Sequence, residues 1–180
     1  MPGLNEILHN IGHLLTYDPE APMLFSSGTF WALFLVFMPL YGLLRSRLWQ
    51  MLVFVVAFSF FFYYKSSGVF VLLLAATSLF DWTLSRVMTR PGRTPFFRKA
   101  CVAASLTASL GILAYFKYAN FFLWNINAMV GGNFQPLDLI LPVGISFYTF
   151  QSISYIIDVY KGRVAPTQTW LEYAFFLSFF

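Results

Sequence analysis

Residues 141–162 read LPVGISFYTFQSISYIIDVYKG, a stretch apolar enough to enter a membrane yet rich in hydrogen-bonding side chains. In a helix, residues spaced three or four apart share one face. The stretch would therefore align one stripe, which consists of Gly144, Tyr148, Gln151, Tyr155 and Asp158. Unpaired polar groups are costly in an apolar medium, so we expect this stripe to face other helices or water.

Two interpretations of this stripe remain open on physical grounds. Polar side chains often bond across a helix bundle, and they also line water-filled cavities. Pro142 and Gly144 predict a bent or broken helix, which membranes tolerate where the backbone lines a cavity. The candidate cavity-lining residues are Tyr148, Gln151, Tyr155, Asp158 and, from the preceding apolar run, Lys117.

The composition of the chain is that of an integral membrane protein. Apolar residues make up 59% of its 180 positions and charged residues only 10%, and the mean hydropathy is +0.70. A soluble domain has about a quarter of its residues charged. We therefore expect the lipid bilayer as a partner and no nucleic acid. The single cysteine, Cys101, excludes an intramolecular disulfide.

Apolar runs predict an all-α, polytopic transmembrane bundle with about five complete spans and the start of a sixth. A spanning helix needs about 20 apolar residues. The expected domains are an extracytoplasmic N-terminal segment, 1–28, and a transmembrane helical domain, 29–180. The sixth run stops at residue 180, which predicts the front part of a longer protein. The runs are 29–44, 49–64, 68–88, 100–116 and 139–157, with the sixth beginning near residue 170.

Basic residues predict the orientation, because an excess of Lys and Arg marks cytoplasmic loops. Such residues follow the first, third and fifth runs, whereas residues 1–27 contain acidic residues and no Lys or Arg. The N-terminus is therefore expected outside the cytoplasm. Residues 89–98, TRPGRTPFFR, are predicted to form a cytoplasmic loop, because Pro91, Gly92 and Pro95 stop helices.

Familiar motifs of soluble enzymes are absent: the sequence has no GxxxxGK[ST], GxSxG or HExxH pattern. His9 and His13 are four residues apart, but a metal site usually needs three or four ligands, so two surface imidazoles are the favoured interpretation. We assign no metal, cofactor or catalytic residue.

Asp81 falls within the third apolar run, and Lys117 lies at the end of the fourth. Asp81 should face protein or water, and the favoured interpretation is a structural pair with Arg86 or Ser85 on the same helix. Lys117 is expected either to extend its ammonium group to the head groups or to line an outer opening beside Asn120. If its helix continues to Met129, the polar residues from 117 to 127 share one sector.

The 141–162 stretch resembles the signature of the membrane-bound O-acyltransferase family, and most closely its alginate O-acetyltransferase branch. Three further stretches agree: FSSGTFWALFLVF at 25–37, LGILAYFKYANFF at 110–122 and LEYAFFLSFF at 171–180. The resemblance implies a multi-helix enzyme of the bacterial inner membrane. Such an enzyme moves an acyl group from a cytoplasmic thioester or acyl carrier to a glycan hydroxyl outside, with accessory O-acetylation proteins.

The same resemblance implies a buried histidine that acts as general base towards the acceptor hydroxyl. No histidine follows His13, so the chain is expected to lack the catalytic centre. The prediction is the N-terminal portion of a polysaccharide O-acetyltransferase. The alternatives are a transporter or channel subunit, whose polar stripe would line a permeation path, and an inactive fragment.

Overall fold

The computed structural model describes residues 17, 23, 26–132, 135–137, 139 and 141–179, and among these it contains helices and connecting segments but no strand. The all-α class is therefore confirmed for the described part of the chain. The predicted N-terminal segment, 1–28, lies mostly outside it, as do His9 and His13. The helices are α1 (Gly28–Leu44), α2 (Leu48–Ser67), α3 (Val71–Met88), α4 (Pro95–Val130), α5 (Ile145–Tyr160) and α6 (Trp170–Ser178), with a short 3-10 turn at Gly68–Phe70.

Local chemistry explains where several helices begin. The Ser27 hydroxyl accepts a hydrogen bond from the Phe30 amide at 3.2 Å and so caps α1. The Thr94 hydroxyl caps α4 in the same way, through the Phe97 amide at 3.2 Å. Pro95 then occupies the first helical position, where its missing N–H is no loss. The predicted loop at 89–98 is therefore too long, because Pro95 starts a helix rather than stopping one.

Helix α6 begins with a reciprocal cap. The amide of Glu172 donates to the Thr169 hydroxyl at 3.3 Å, and the Thr169 amide donates to the Glu172 carboxylate at 3.2 Å. Two amides at the helix start, which have no intrahelical partner, are satisfied in this way.

Helix α5 begins at Ile145, six residues later than the apolar run that predicts it. Gly144 has φ +73°, a left-handed conformation that interrupts the helix, and Pro142 lies just before it. The predicted break in this run is therefore present. Helix α5 has only 16 residues, or about 24 Å at 1.5 Å per residue, less than the roughly 30 Å of a bilayer core.

Helix α4 is much longer than its apolar run. It has 36 residues, which span about 54 Å, and it ends where Gly131 adopts φ +64°. The conditional prediction of a helix that continues to Met129 is confirmed. Asn120 fixes the segment that follows, because its side-chain amide donates to the carbonyl of Leu137 and accepts from the Leu137 amide, both at 2.8 Å.

Two helical stretches are long and apolar enough to cross a membrane, Leu48–Met88 and Pro95–Val130, while Gly28–Leu44 is apolar but shorter. Many large apolar side chains on these helices are exposed, among them Leu35 at 71% and Leu72 at 65%. These features indicate a membrane protein. The predicted bundle of about five complete spans is not confirmed by the lengths of the described helices.

The described residues fall into two compact units, one within Met1–Ala75 and Ala174–Phe180, the other Ala76–Tyr173. In the first, which we call the aromatic unit, α1 and α2 contact each other through stacked rings. Phe37 lies 4.4 Å from Phe58, and Phe30 lies 5.2 Å from Phe62, measured between ring centroids. The second, the polar unit, contains most of α3, all of α4 and α5, and the first turn of α6.

Candidate functional site

The interior of the polar unit contains a buried hydrogen-bonded network. The carboxyl group of Asp81, on α3, accepts from the hydroxyl of Ser105 on α4 at 2.6 Å and from the hydroxyl of Ser152 on α5. Ser152 in turn accepts from the Tyr173 hydroxyl of α6 at 2.9 Å. All four side chains are at most 3% exposed. One carboxyl group thus connects four helices.

Small residues make this close approach of the helices possible. Cys101, Ser105 and Ser109 follow one another at intervals of four and are all buried on the same face of α4. Small side chains at such spacing allow helix backbones to approach closely. The spacing of these residues is visible in the sequence and is a signal of close helix contact.

Two further contacts lie at the edge of the network. The indole N–H of Trp170 donates to the Ser78 hydroxyl at 3.1 Å. The Tyr155 hydroxyl accepts from the Thr167 amide at 2.9 Å, and the Tyr155 ring lies 4.7 Å from that of Tyr173. These contacts connect the start of α6 to α3 and the segment before α6 to α5.

The order of donors in the network suits a structural role. Tyr173 donates to Ser152, Ser152 donates to Asp81, and Ser105 donates to the other carboxyl oxygen. Hydrogen bonds in such a chain polarise and strengthen one another in a medium of low dielectric constant. Both carboxyl oxygens of Asp81 are occupied by hydroxyl donors and all of these side chains are buried, an arrangement suited to positioning helices.

The predicted partners of Asp81 are wrong. The Ser85 hydroxyl instead donates to the carbonyl of Trp82 at 2.7 Å, and Arg86 is exposed. The actual partners, Ser105 and Ser152, lie 24 and 71 residues away in the sequence. Spacing along one helix could not reveal them.

The five candidate cavity-lining residues occupy different environments. Tyr148 and Tyr155 are buried, at 6% and 7% exposure, and Gln151 is half-buried. Asp158 forms an ion pair with Arg163 at 3.3 Å at the surface. Lys117 is exposed, and its ammonium nitrogen lies 5.5 Å from the centroid of the Tyr118 ring.

The buried face of α5 is centred between Tyr148 and Tyr155, on Ser152. Its members include Ile145, Thr149 and Ile156, as well as these three residues. The predicted stripe and the buried face share the two tyrosines and differ at Gln151 and Asp158. Sequence reasoning therefore missed Ser152, although its spacing of three and four from Thr149 and Ile156 marks the same face.

No group of three or more His, Cys, Asp or Glu side chains that could hold a metal occurs among the described residues. Cys101 is a free thiol in the interior.

Comparison with known proteins connects the chain to enzymes of acetyl transfer. It is 36% identical over 163 residues to "Probable alginate O-acetylase AlgI" of Pseudomonas aeruginosa, covering 88% of this chain and 31% of that protein. A protein of the same name from Azotobacter vinelandii is 34% identical, again over 163 residues, 88% of this chain and 32% of the relative.

A second acceptor class occurs among the relatives. "Peptidoglycan O-acetyltransferase" of Helicobacter pylori is 32% identical over 160 residues, covering 74% of this chain and 29% of that protein. The chain thus spans about a third of the length of the curated relatives it matches. No protein-family model matches it, and no solved structure does.

These relatives agree with one another in the acetyl-transfer chemistry that their names state, and the matches cover between 74% and 88% of the chain. The chain belongs to the membrane-bound O-acyltransferase family, in the branch that contains the alginate O-acetylases.

Proposed function

We propose that the chain is part of an enzyme that transfers an acetyl group from a cytoplasmic donor to a hydroxyl of a polysaccharide outside the cytoplasm. The observation that carries this proposal is the 36% identity with an alginate O-acetylase across 88% of the chain. A transporter subunit is not favoured, because the relatives are named for acetyl transfer.

Within that enzyme, the role of the polar unit is to hold α3, α4, α5 and the start of α6 in a fixed arrangement. Asp81 supports this role because both of its carboxyl oxygens are bonded to side chains of other helices. The general base, which the family resemblance places on a histidine, belongs to another part of the enzyme. Neither histidine of this chain, His9 or His13, fulfils that role in the proposal.

The five candidate cavity-lining residues remain part of the proposal. Among these five residues, Gln151 offers the best test of a cavity-lining role, because it is half-buried and lies near the middle of α5. A half-buried amide can contact ordered water or substrate on its open side, whereas the buried Tyr148 and Tyr155 support the wall from within.

A chimera tests the proposed function. The segment of the Pseudomonas aeruginosa alginate O-acetylase that matches this chain is replaced by the chain, in a strain that lacks its own copy of the enzyme. We expect acetyl esters to return to the secreted alginate. Absence of esters, with the chimera folded and present in the membrane at the normal level, would contradict the proposal.

We also propose that residues near the start of α1 face outward and that the loop between α3 and α4 faces the cytoplasm. The basic residues between α3 and α4 support this orientation. Ser26→Cys, before α1, and Thr94→Cys, at the end of the α3–α4 loop, are each at an exposed position. In a Cys101→Ser background they should react with an impermeant thiol reagent from opposite sides. Labelling of both from one side would exclude it.

A further inference from the structure

A cleft of about 390 Å³ lies in the polar unit between the α3–α4 loop and the segment that follows α5. Three arginines line it: Arg90, Arg93 and Arg98. Apolar side chains, including Met88 and Val164, complete its wall. The cleft is therefore amphiphilic, with cationic groups beside an apolar surface.

Arg98 is held in place by the protein. Its Nη2 atom donates to the carbonyl of Tyr160 at 2.7 Å, and its guanidinium carbon lies 5.3 Å from the centroid of the Tyr160 ring. Its Nε atom is buried and has no hydrogen-bond partner in the described part of the chain. An unsatisfied buried donor is unusual in a folded protein and requires an explanation such as an ion or water.

The positive charge of the cleft is not neutralised by the described residues. None of Arg90, Arg93 and Arg98 forms an ion pair within the ranges 26–132 and 141–179, where the recorded pair is Arg163 with Asp158. Arg93 lies 4.5 Å above the Phe97 ring, a contact that positions its guanidinium group without cancelling its charge. Three cations so close together favour a bound anion.

The geometry of arginine indicates what kind of anion this is. The guanidinium group presents its N–H donors in a planar fork that matches phosphate oxygens two at a time. The loop that carries Gly92 and Arg93 leads directly into the N-terminus of α4, where the helix dipole adds partial positive charge. A multiply charged oxyanion offsets three cations better than a single carboxylate does.

We propose that this cleft binds a phosphate group, which the three arginines contact, and that its apolar wall receives the part of the ligand next to that phosphate. The phosphate can come from the head group of a membrane phospholipid or from a phosphate ester in solution. The proposed phosphate binding does not depend on the proposed acetyl transfer, because the arginines and the cleft alone support it.

The test uses the whole chain, purified in a non-ionic detergent, and isothermal titration calorimetry with three probes. Dihexanoyl phosphatidic acid carries a phosphate and two acyl chains, inorganic phosphate carries no chain, and dihexanoylglycerol carries no phosphate. We expect saturable binding of at least one phosphate probe and none of dihexanoylglycerol. Similar affinity for the two phosphate probes indicates a soluble source, and tighter binding of phosphatidic acid by tenfold or more indicates a lipid.

Two matched variants distinguish specific binding in the cleft from nonspecific electrostatic attraction of the phosphate to the protein. Arg90→Gln with Arg93→Gln removes two charges from exposed positions and leaves the Arg98–Tyr160 contact intact. Arg45→Gln with Arg47→Gln removes two charges from the α1–α2 loop. We expect the first variant to weaken binding roughly 10- to 100-fold, as for the loss of a charge-assisted hydrogen bond. We expect the second to change the affinity less than about twofold, since neither Arg45 nor Arg47 lines the cleft.

Circular dichroism of each variant establishes that it is folded. The proposal is overturned if neither phosphate probe binds saturably, if dihexanoylglycerol binds as tightly as phosphatidic acid, or if the two variants lose affinity equally.

Discussion

In the aromatic unit, α1 and α2 meet through phenylalanine rings, with Phe37 in contact with both Phe54 and Phe58 at centroid distances of 5.2 and 4.4 Å. In the polar unit, α3, α4, α5 and α6 meet at one carboxyl group. Ring packing is spread over many weak contacts, so neighbours can adjust when one changes. A hydrogen-bonded carboxyl group is localised, and its loss leaves several partners unsatisfied at once.

Asp81→Ala is expected to have the largest effect. Two buried serine hydroxyls lose their acceptor, and each unsatisfied group costs about 1–3 kcal/mol. A serine hydroxyl in a helix can turn to a backbone carbonyl one turn back, so we expect a loss of about 2–4 kcal/mol in the free energy of unfolding. The measurement is unfolding in mixed micelles with increasing denaturing detergent.

Asp158→Ala is the control, because it removes a carboxylate from a surface ion pair with Arg163. Such pairs contribute about 0–1 kcal/mol. If the two substitutions destabilise the chain equally, the polar network is not the main interaction that stabilises the polar unit.

Gly68→Ala should cause the next largest loss of stability. It tests a position in the aromatic unit where a side chain is not tolerated. Gly68 has φ +59°, and an added Cβ would lie 2.8 Å from the Tyr17 ring. Such strained backbone costs about 1–3 kcal/mol, which a thermal melt in detergent would detect.

Gly42→Ala is the matched control in the same unit, because nothing lies within 4 Å of its added Cβ. Alanine in a helix interior is about 1 kcal/mol more favourable than glycine, so this variant should melt at the same or a higher temperature. A Gly68→Ala variant that melts like the parent would show that the turn after α2 adapts.

Phe37→Leu should cost only about 1 kcal/mol, because it keeps much of the buried apolar volume and loses the ring contacts. The comparison between units predicts that this change is smaller than Asp81→Ala in the same unfolding assay. A larger loss would mean that the aromatic unit depends on the shape of one ring.

Gln151→Leu is expected to have the smallest effect on stability, below about 0.5 kcal/mol, because Gln151 is only half-buried and substitutions outside the buried core usually change stability little. If the residue borders the reaction chamber, the chimera carrying this change makes fewer acetyl esters per folded molecule. Lower stability with unchanged ester formation per folded molecule would instead identify Gln151 as a contact between helices.

Apolar runs predicted the described helices to within a few residues for α1 and α2, because local hydropathy largely decides which segments become helical in a membrane protein. The extent of α4 was harder to predict, since Lys117 and the asparagines after it resemble a helix end. Proline predicts a helix stop at Pro95, but its position after the capping residue Thr94 marks a helix start.

The site could be predicted only in part, because its hydrogen bonds join residues that are far apart in the sequence. The polar character of the 141–162 stretch and the cost of burying Asp81 were both evident in the sequence. The 141–162 stretch satisfies the Asp81 carboxyl group through Ser152, which lies 71 positions away in the sequence. A single sequence does not specify a contact over that separation.

The most direct test of the account measures alginate acetyl esters and the amount of folded chimera in the same cells, for the parent chimera and for its Asp81→Ala and Asp158→Ala variants. We predict that the parent and Asp158→Ala form esters, and that in Asp81→Ala esters and folded protein fall in the same proportion. Loss of esters in Asp81→Ala with a normal amount of folded chimera would contradict the positioning role assigned to the network.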